Sequence, residues 1–199
     1  MEQGKLPPHK RSYFTLHQCI YSSIAHENEI NNFPGTDFVP SNNDSKLKKD
    51  NIITNLNKLF EFCINPIFRK FRTDIYLASV YRSKKLNELL GVVENSQHIY
   101  GYAADIVSPT YSTATIFNWC KRALSYHQLI WEYPEKGKYV DDEGEWSWIH
   151  ISYIEGKNFR ENSVSSKNPK ILEYYKGEKA YAIGDYVHRI GDANEQILI

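Results

Sequence analysis

The stretch SQHIYGYAADI, residues 96–106, decides the fold of this chain. It places His98 and Asp105 on either side of Gly101, which allows a sharp turn. Two short segments joined by that turn can bring both side chains to one ion. Imidazole and carboxylate are suitable zinc ligands, and a catalytic zinc site needs three protein ligands and an open position for water. The stretch therefore predicts a metal site, although His98 alone could be a loop histidine and Asp105 alone a turn or cap residue.

The third ligand must come from elsewhere in the chain, and His150 is the best candidate. It lies in the apolar strand pattern WIHIS, residues 148–152, where a histidine needs a reason. Strand alternation places Trp148, His150 and Ser152 on one face. The alternative is a buried histidine whose ring is satisfied by hydrogen bonds.

A partner strand is predicted at QLIWEY, residues 128–133, paired as a hairpin with residues 146–153 across a polar loop. Glu132 then points into the same cleft as His150, provided that the apolar faces turn toward the helices. A carboxylate beside a zinc-bound water can take its proton and pass it to the leaving amine. Glu132 is therefore the predicted general base. It could instead end a strand at the surface, and the rivals lie in the charged loop: Asp142, Glu143 and Glu145.

The segment SQHIYGYAADI resembles the SxHxxGxAxD pattern of the zinc D-Ala-D-Ala carboxypeptidases. These belong to a wider group with the lysostaphin-type peptidases and the hedgehog signalling domain. The resemblance implies Zn²⁺ bound by His98, Asp105 and His150, with Glu132 as the acidic base. It also implies hydrolysis of peptide bonds in peptidoglycan, in a phage or bacterial branch of the family.

The segment SVYRS, residues 79–83, resembles the family's SGYRS, with Val80 in place of the usual glycine. The resemblance implies that Arg82 contacts substrate or the oxyanion; a structural ion pair is the alternative. Contacts with substrate are also predicted for Ser96, Gln97 and Trp148, with packing as the other interpretation of the tryptophan.

The rest of the chain predicts an α+β domain, with N-terminal helices packed on a small, mostly antiparallel sheet that carries the zinc site. Apolar residues recur at helical spacing over 52–71, where Pro66 should kink or divide the helix. Strands are expected at 74–80 and 103–107, and Ser112 should cap a helix that reaches Ala123. We place the peptidase domain at 12–160 and a C-terminal extension, with short strands near 180–190, at 161–199.

The charge balance of the chain and its N-terminal sequence limit the classes of partner and the cellular compartment that we expect. Lys+Arg and Asp+Glu are both 24, and this balance argues against nucleic acid or an anionic membrane as a partner. Residues 1–10 contain no apolar run, so we expect no secretory signal and synthesis in a cytoplasm. With the resemblance, this suits a phage lysin or virion component that acts on the cell wall, on the stem or cross-bridge peptide. The alternative function is a non-catalytic zinc-binding module of a phage tail or virion, with other tail or virion proteins as its partners.

Overall fold

The computed structural model describes residues 14–42, 44–72, 75–132, 147–158 and 161–165. The helices in this part of the chain are α1 (Leu16–Ile20), α2 (Ser23–Glu27), α3 (Lys49–Leu59), α4 (Asn65–Phe71), α5 (Lys84–Leu89) and α6 (Thr113–Ala123). The strands are β1 (Tyr76–Ser79), β2 (Ala103–Val107), β3 (Gln128–Glu132), β4 (Trp148–Ser152) and β5 (Glu161–Ser165).

The strands form one sheet in the order β1-β2-β4-β3-β5. Pairing is antiparallel from β1 through β3, and β5 runs parallel to β3 at the edge. The predicted α+β class and the predicted hairpin of β3 and β4 are confirmed. Strand β5 was not expected; it lies in the segment interpreted as an extension and joins the sheet of the domain. The strands expected near 180–190 lie outside the described residues.

The predicted division of the long helix is also confirmed, one turn before the proline. A wide π turn over Phe60–Ile64 separates α3 from α4, and Pro66 lies in the first turn of α4. There the missing N–H of proline costs little, because the first N–H groups of a helix have no partner inside the helix. The predicted cap at Ser112 is present, with its hydroxyl accepting from the backbone of Thr115.

The core lies between the helices and one face of the sheet. Strand residues Ile106, Leu129 and Ile149 pack there with helix residues of α3 and α4. Because side chains alternate along a strand, the opposite face is left to the polar residues of the same strands. This is the arrangement that turns Asp105 and His150 toward a cleft.

The three cysteines are buried free thiols, and burial raises the pKa of each. Cys63 and Cys120 belong to the main core, which confirms that they pack as small hydrophobes. In the part of the chain that the structure describes, every helix is too short or too polar to cross a bilayer.

Candidate metal centre and its cleft

His98 is held in place by a short 3₁₀ turn, Gln97–Tyr100. The hydroxyl of Ser96 accepts the backbone N–H of His98 at the start of the turn, and Gly101 ends it at φ +71°. A side chain at Gly101 would place its Cβ 2.8 Å from the carbonyl oxygen of Ile52 in α3. The turn that carries His98 is therefore seated against α3 by a contact that only glycine permits.

Asp105 and His150 come from adjacent strands and lie directly opposite each other in the register of β2 and β4. The Nδ1 atom of His150 lies 3.0 Å from Asp105 Oδ1, and the Nε2 atom of His98 lies 3.3 Å from Asp105 Oδ2. The two imidazole rings stand 5.2 Å apart between centroids. The structure thus brings together the three residues that the sequence predicts as ligands.

Burial lowers the pKa of His98 to about 4, with the Arg82 charge acting in the same direction. The ring is therefore neutral near pH 7. Its Nδ1 atom lies 2.6 Å from the carbonyl oxygen of Val80. A carbonyl can only accept, so the single proton of the neutral ring sits on Nδ1, and Nε2 presents a lone pair.

Asp105 is ionised. Burial alone would raise the pKa of Asp105, but the interactions with His98, His150 and Arg82 outweigh burial and hold that pKa well below its usual range. A carboxylate oxygen of Asp105 consequently faces the bare Nε2 of His98 at 3.3 Å.

This arrangement fits a metal ion. Two hydrogen-bond acceptors that face each other inside a protein repel, and a cation between them removes the repulsion. One ligand atom from each of His98, Asp105 and His150 lies within 4.8 Å of the other two. Two imidazoles and a carboxylate, with further positions left for water or substrate, are the donor set of a catalytic zinc site.

Glu132 lies on the same face of the sheet, but it pairs with Trp148, whereas His150 pairs with Ile130. Glu132 is therefore diagonal to His150, two residues further along the strand, and lines the same cleft. Glu132 is buried, and its Oε2 atom has no hydrogen-bond partner among the described residues. Burial, followed by the nearby charge of Asp105, raises the pKa of Glu132 to about 7. Such a carboxyl can hold or release a proton near neutrality.

A cleft of about 310 Å³ connects these groups. Its lining includes the three candidate ligands, Glu132 and Arg82, together with an apolar wall that comprises Leu90, Val92, Val93, Ile130 and Trp148. Trp148, predicted to contact substrate, lines this wall but is only 7% exposed. The rival acids Asp142, Glu143 and Glu145 lie outside the described residues.

Arg82 is buried beside the ligands. Its Nη2 donates to Asp105 Oδ2 at 2.7 Å, and its Nε donates to the hydroxyl of Ser79 at 2.8 Å. The backbone on both sides of Arg82 is clamped by the buried Asn32, whose Oδ1 accepts from Ser83 N–H at 2.6 Å and whose amide donates to Tyr81 O at 3.3 Å. Arg82 thus contacts a candidate ligand directly, as well as lining the cleft.

The other two predicted substrate contacts differ in their surroundings. Ser96 also lines the cleft, but it is buried and its hydroxyl caps the 3₁₀ turn. Gln97 is partly exposed and lines the cleft, and its Oε1 lies 3.0 Å from His150 Nε2. The contacts of Asn32, Ser79, Val80 and Gln97 with this centre were not foreseen. Ser79 and Gln97 are polar and lie close in sequence to Arg82 and His98, and this proximity was the only sign in the sequence of their contacts.

The cluster that could hold a metal and the buried acid beside it in one cleft are the groups that a metallohydrolase requires. Residues 42–137 match the family model described as Peptidase M15. This match confirms the resemblance to the zinc-dependent M15 peptidases over the matched residues. The match contains His98, Asp105, Glu132 and Arg82, and ends before His150. Peptidases of this family are zinc-dependent, so Zn²⁺ is the metal that the cluster suits. No curated protein matches the chain.

Proposed function

We propose that this protein hydrolyses peptide bonds in peptidoglycan, as a D-Ala-D-Ala carboxypeptidase or endopeptidase. One observation carries the proposal: Glu132, a buried carboxyl with an oxygen that no described residue hydrogen-bonds, opens onto the same cleft as the cluster of His98, Asp105 and His150. A purely structural metal site has no need for such a group. An unpartnered buried carboxyl oxygen also costs folding free energy, which favours a role in the reaction.

In this mechanism His98, Asp105 and His150 would hold the zinc, which would supply Lewis acidity toward the scissile carbonyl and the attacking water. Glu132 receives the proton of the attacking water at Oε2 and later donates it to the leaving amine. In the metal-free protein, burial raises the pKa of Glu132 to about 7, so its surroundings favour a carboxyl that holds a proton between these two steps.

Arg82 is proposed to contact the substrate from the wall of the cleft. Among the described residues that line the cleft, Arg82 is the only one whose side chain carries a permanent positive charge, and it can therefore bind a negatively charged group of the substrate. A guanidinium can bind an oxyanion or a terminal carboxylate while its other N–H groups hold Ser79 and Asp105. A free C-terminal carboxylate at this position would make the enzyme a carboxypeptidase.

The apolar wall suits small apolar side chains such as the methyl groups of alanine residues. The substrate class also agrees with the balanced charge of the chain, because a neutral groove does not exclude a zwitterionic polymer. We place the activity at the bacterial cell wall, with the protein as a phage lysin or virion component.

The test is digestion of purified cell walls and of defined muropeptides by the full chain loaded with zinc. Mass spectrometry of the wild-type digests should show either loss of a terminal D-Ala or cleavage within the stem or cross-bridge, and only the second activity should also clear walls in a zymogram. Glu132→Gln should release at least about a hundredfold less product, the lower range for removal of a general base. Zinc-loaded wild type that binds walls but releases no product would support the non-catalytic module instead.

A further inference from the structure

Gln97 lies where it can determine which nitrogen of His150 faces the metal centre. His150 has one ring nitrogen on each side: Nδ1 is 3.0 Å from Asp105 Oδ1, and Nε2 is 3.0 Å from Gln97 Oε1. A neutral imidazole carries one proton, and the two ring positions are therefore not equivalent. The partner of the outer nitrogen decides which of the two tautomers is favoured.

We propose that Gln97 is a positioning residue for His150: its side-chain carbonyl accepts the Nε2–H and leaves the Nδ1 lone pair directed at the centre beside Asp105. The inference rests on the ligand set proposed above. It assigns Gln97 a role through His150, where the sequence predicts a contact with substrate.

His98 shows the same arrangement with a different acceptor. There the carbonyl oxygen of Val80 accepts from Nδ1, and the remaining lone pair on Nε2 faces the other oxygen of Asp105. Each candidate histidine thus has one ring nitrogen against an oxygen acceptor and the other against Asp105. Hydrogen bonds of this kind orient metal-ligating histidines and raise their basicity.

The placement of Gln97 follows from the turn that carries His98. Gln97 is the first residue of the 3₁₀ turn, and His98 is the second. One turn therefore supplies a ligand directly and holds the ring of a second ligand, which comes from β4, 53 positions along the chain. A change in this turn should disturb two of the three ligands.

The experiment compares zinc affinity in Gln97→Met and Gln97→Glu at one pH by competition with a chromophoric chelator, without substrate. Methionine has similar length but lacks a strong acceptor, so zinc should bind about ten- to a hundredfold more weakly. Glutamate keeps an acceptor at this position and should bind zinc at least as tightly as wild type. Gln128→Met is the matched control, since Gln128 lines the same cleft, and its zinc affinity should not change.

A second readout examines the tautomer. In zinc-loaded, ¹⁵N-histidine-labelled wild type, the Nε2 of His150 should carry the proton and Nδ1 should bind the metal. Wild-type zinc affinity in Gln97→Met, or metal on Nε2 of His150 in wild type, would overturn the proposal. Neither measurement involves hydrolysis, so absence of peptidase activity would count against the proposed function and leave this inference standing.

Discussion

Asp105 contacts His150 and Arg82 through different oxygens: Oδ1 lies 3.0 Å from His150 Nδ1, and Oδ2 lies 2.7 Å from Arg82 Nη2. His98 shares the second oxygen at 3.3 Å. The carboxylate is thus the common partner of both candidate histidine ligands and of Arg82. A substitution of any of these neighbours should therefore change the affinity of the centre for zinc.

The first prediction concerns the ligand set. His150→Ala and Asp105→Asn should each lose most of the zinc that wild type retains at about one ion per chain, because a three-ligand site is reduced to two good donors. Elemental analysis after gel filtration measures the metal directly. His26→Ala is the control, since His26 is exposed on α2 and should leave the zinc content unchanged. Equal zinc in His150→Ala and wild type would remove His150 from the ligand set.

The second prediction concerns the stability of the metal-free protein as pH changes. Folding raises the pKa of Glu132 to about 7, so the folded state retains a proton that the unfolded chain releases near pH 4. Glu132 therefore lowers the free energy of unfolding as pH rises from about 4 to about 7. His98 acts in the opposite direction, since its pKa falls to about 4 and stability is lost as pH falls from about 6.5 to 4.

Glu132→Gln removes one of these opposing effects. The variant should match wild type near pH 4 and exceed it by up to roughly 3 kcal/mol above pH 7, as a pKa shift of this size implies. Urea unfolding with chelator present, at several pH values, provides the measurement. Glu61→Gln on the exposed face is the matched control and should follow wild type throughout. A pH-independent difference between Glu132→Gln and wild type would contradict the burial argument.

The third prediction separates the two roles of Arg82. Arg82→Lys keeps the positive charge. The lysine ammonium, unlike the guanidinium, cannot donate to Ser79 and Asp105 simultaneously in this geometry. Zinc affinity should fall about tenfold or more if Arg82 positions Asp105. If Arg82 only binds substrate, zinc affinity should stay at the wild-type value while KM rises. The chelator competition and steady-state kinetics on a defined muropeptide together decide between these outcomes.

The fourth prediction compares two glycines with positive φ. Gly91→Ala, at φ +62° with open space around it, should cost about 1–2 kcal/mol of stability from backbone strain alone. Gly101→Ala adds a clash with the Ile52 carbonyl and should cost about 2–5 kcal/mol. Because its turn carries His98, only the second variant should also weaken zinc binding. Similar losses of stability in both variants, with zinc affinity intact, would show that the contact with α3 is easily relieved.

The local pattern was sufficient to predict the strands that carry the candidate ligands. His98, Gly101 and Asp105 lie within eight residues, and strand alternation alone places Asp105 and His150 on the polar face of the sheet. The register between strands was harder, because alternation fixes the face of Glu132 but not its partner. For this reason the sequence predicts a shared cleft for Glu132 and His150, but it does not reveal that Glu132 pairs with Trp148.

Contacts that depend on tertiary packing could not be predicted from the sequence. The approach of Gln97 to His150 requires a side chain from a turn and a ring from a distant strand to meet. The clamp of Asn32 around Arg82 joins a loop to a segment 49 positions away. No periodicity encodes such pairs, and a single sequence gives only the polar residue types from which they are built.

Strand β5 has a consequence for where the chain can be cut. It runs along the outer side of β3, over the full length of the strand that ends at Glu132. A fragment that stops at residue 160 would leave the main-chain N–H and C=O groups on that side of β3 without partners. An open edge of this kind pairs readily with the same edge of another molecule. Fragments that end at residue 160 should therefore self-associate more readily than those that continue beyond residue 165, in which the mostly polar strand β5 covers this side of β3.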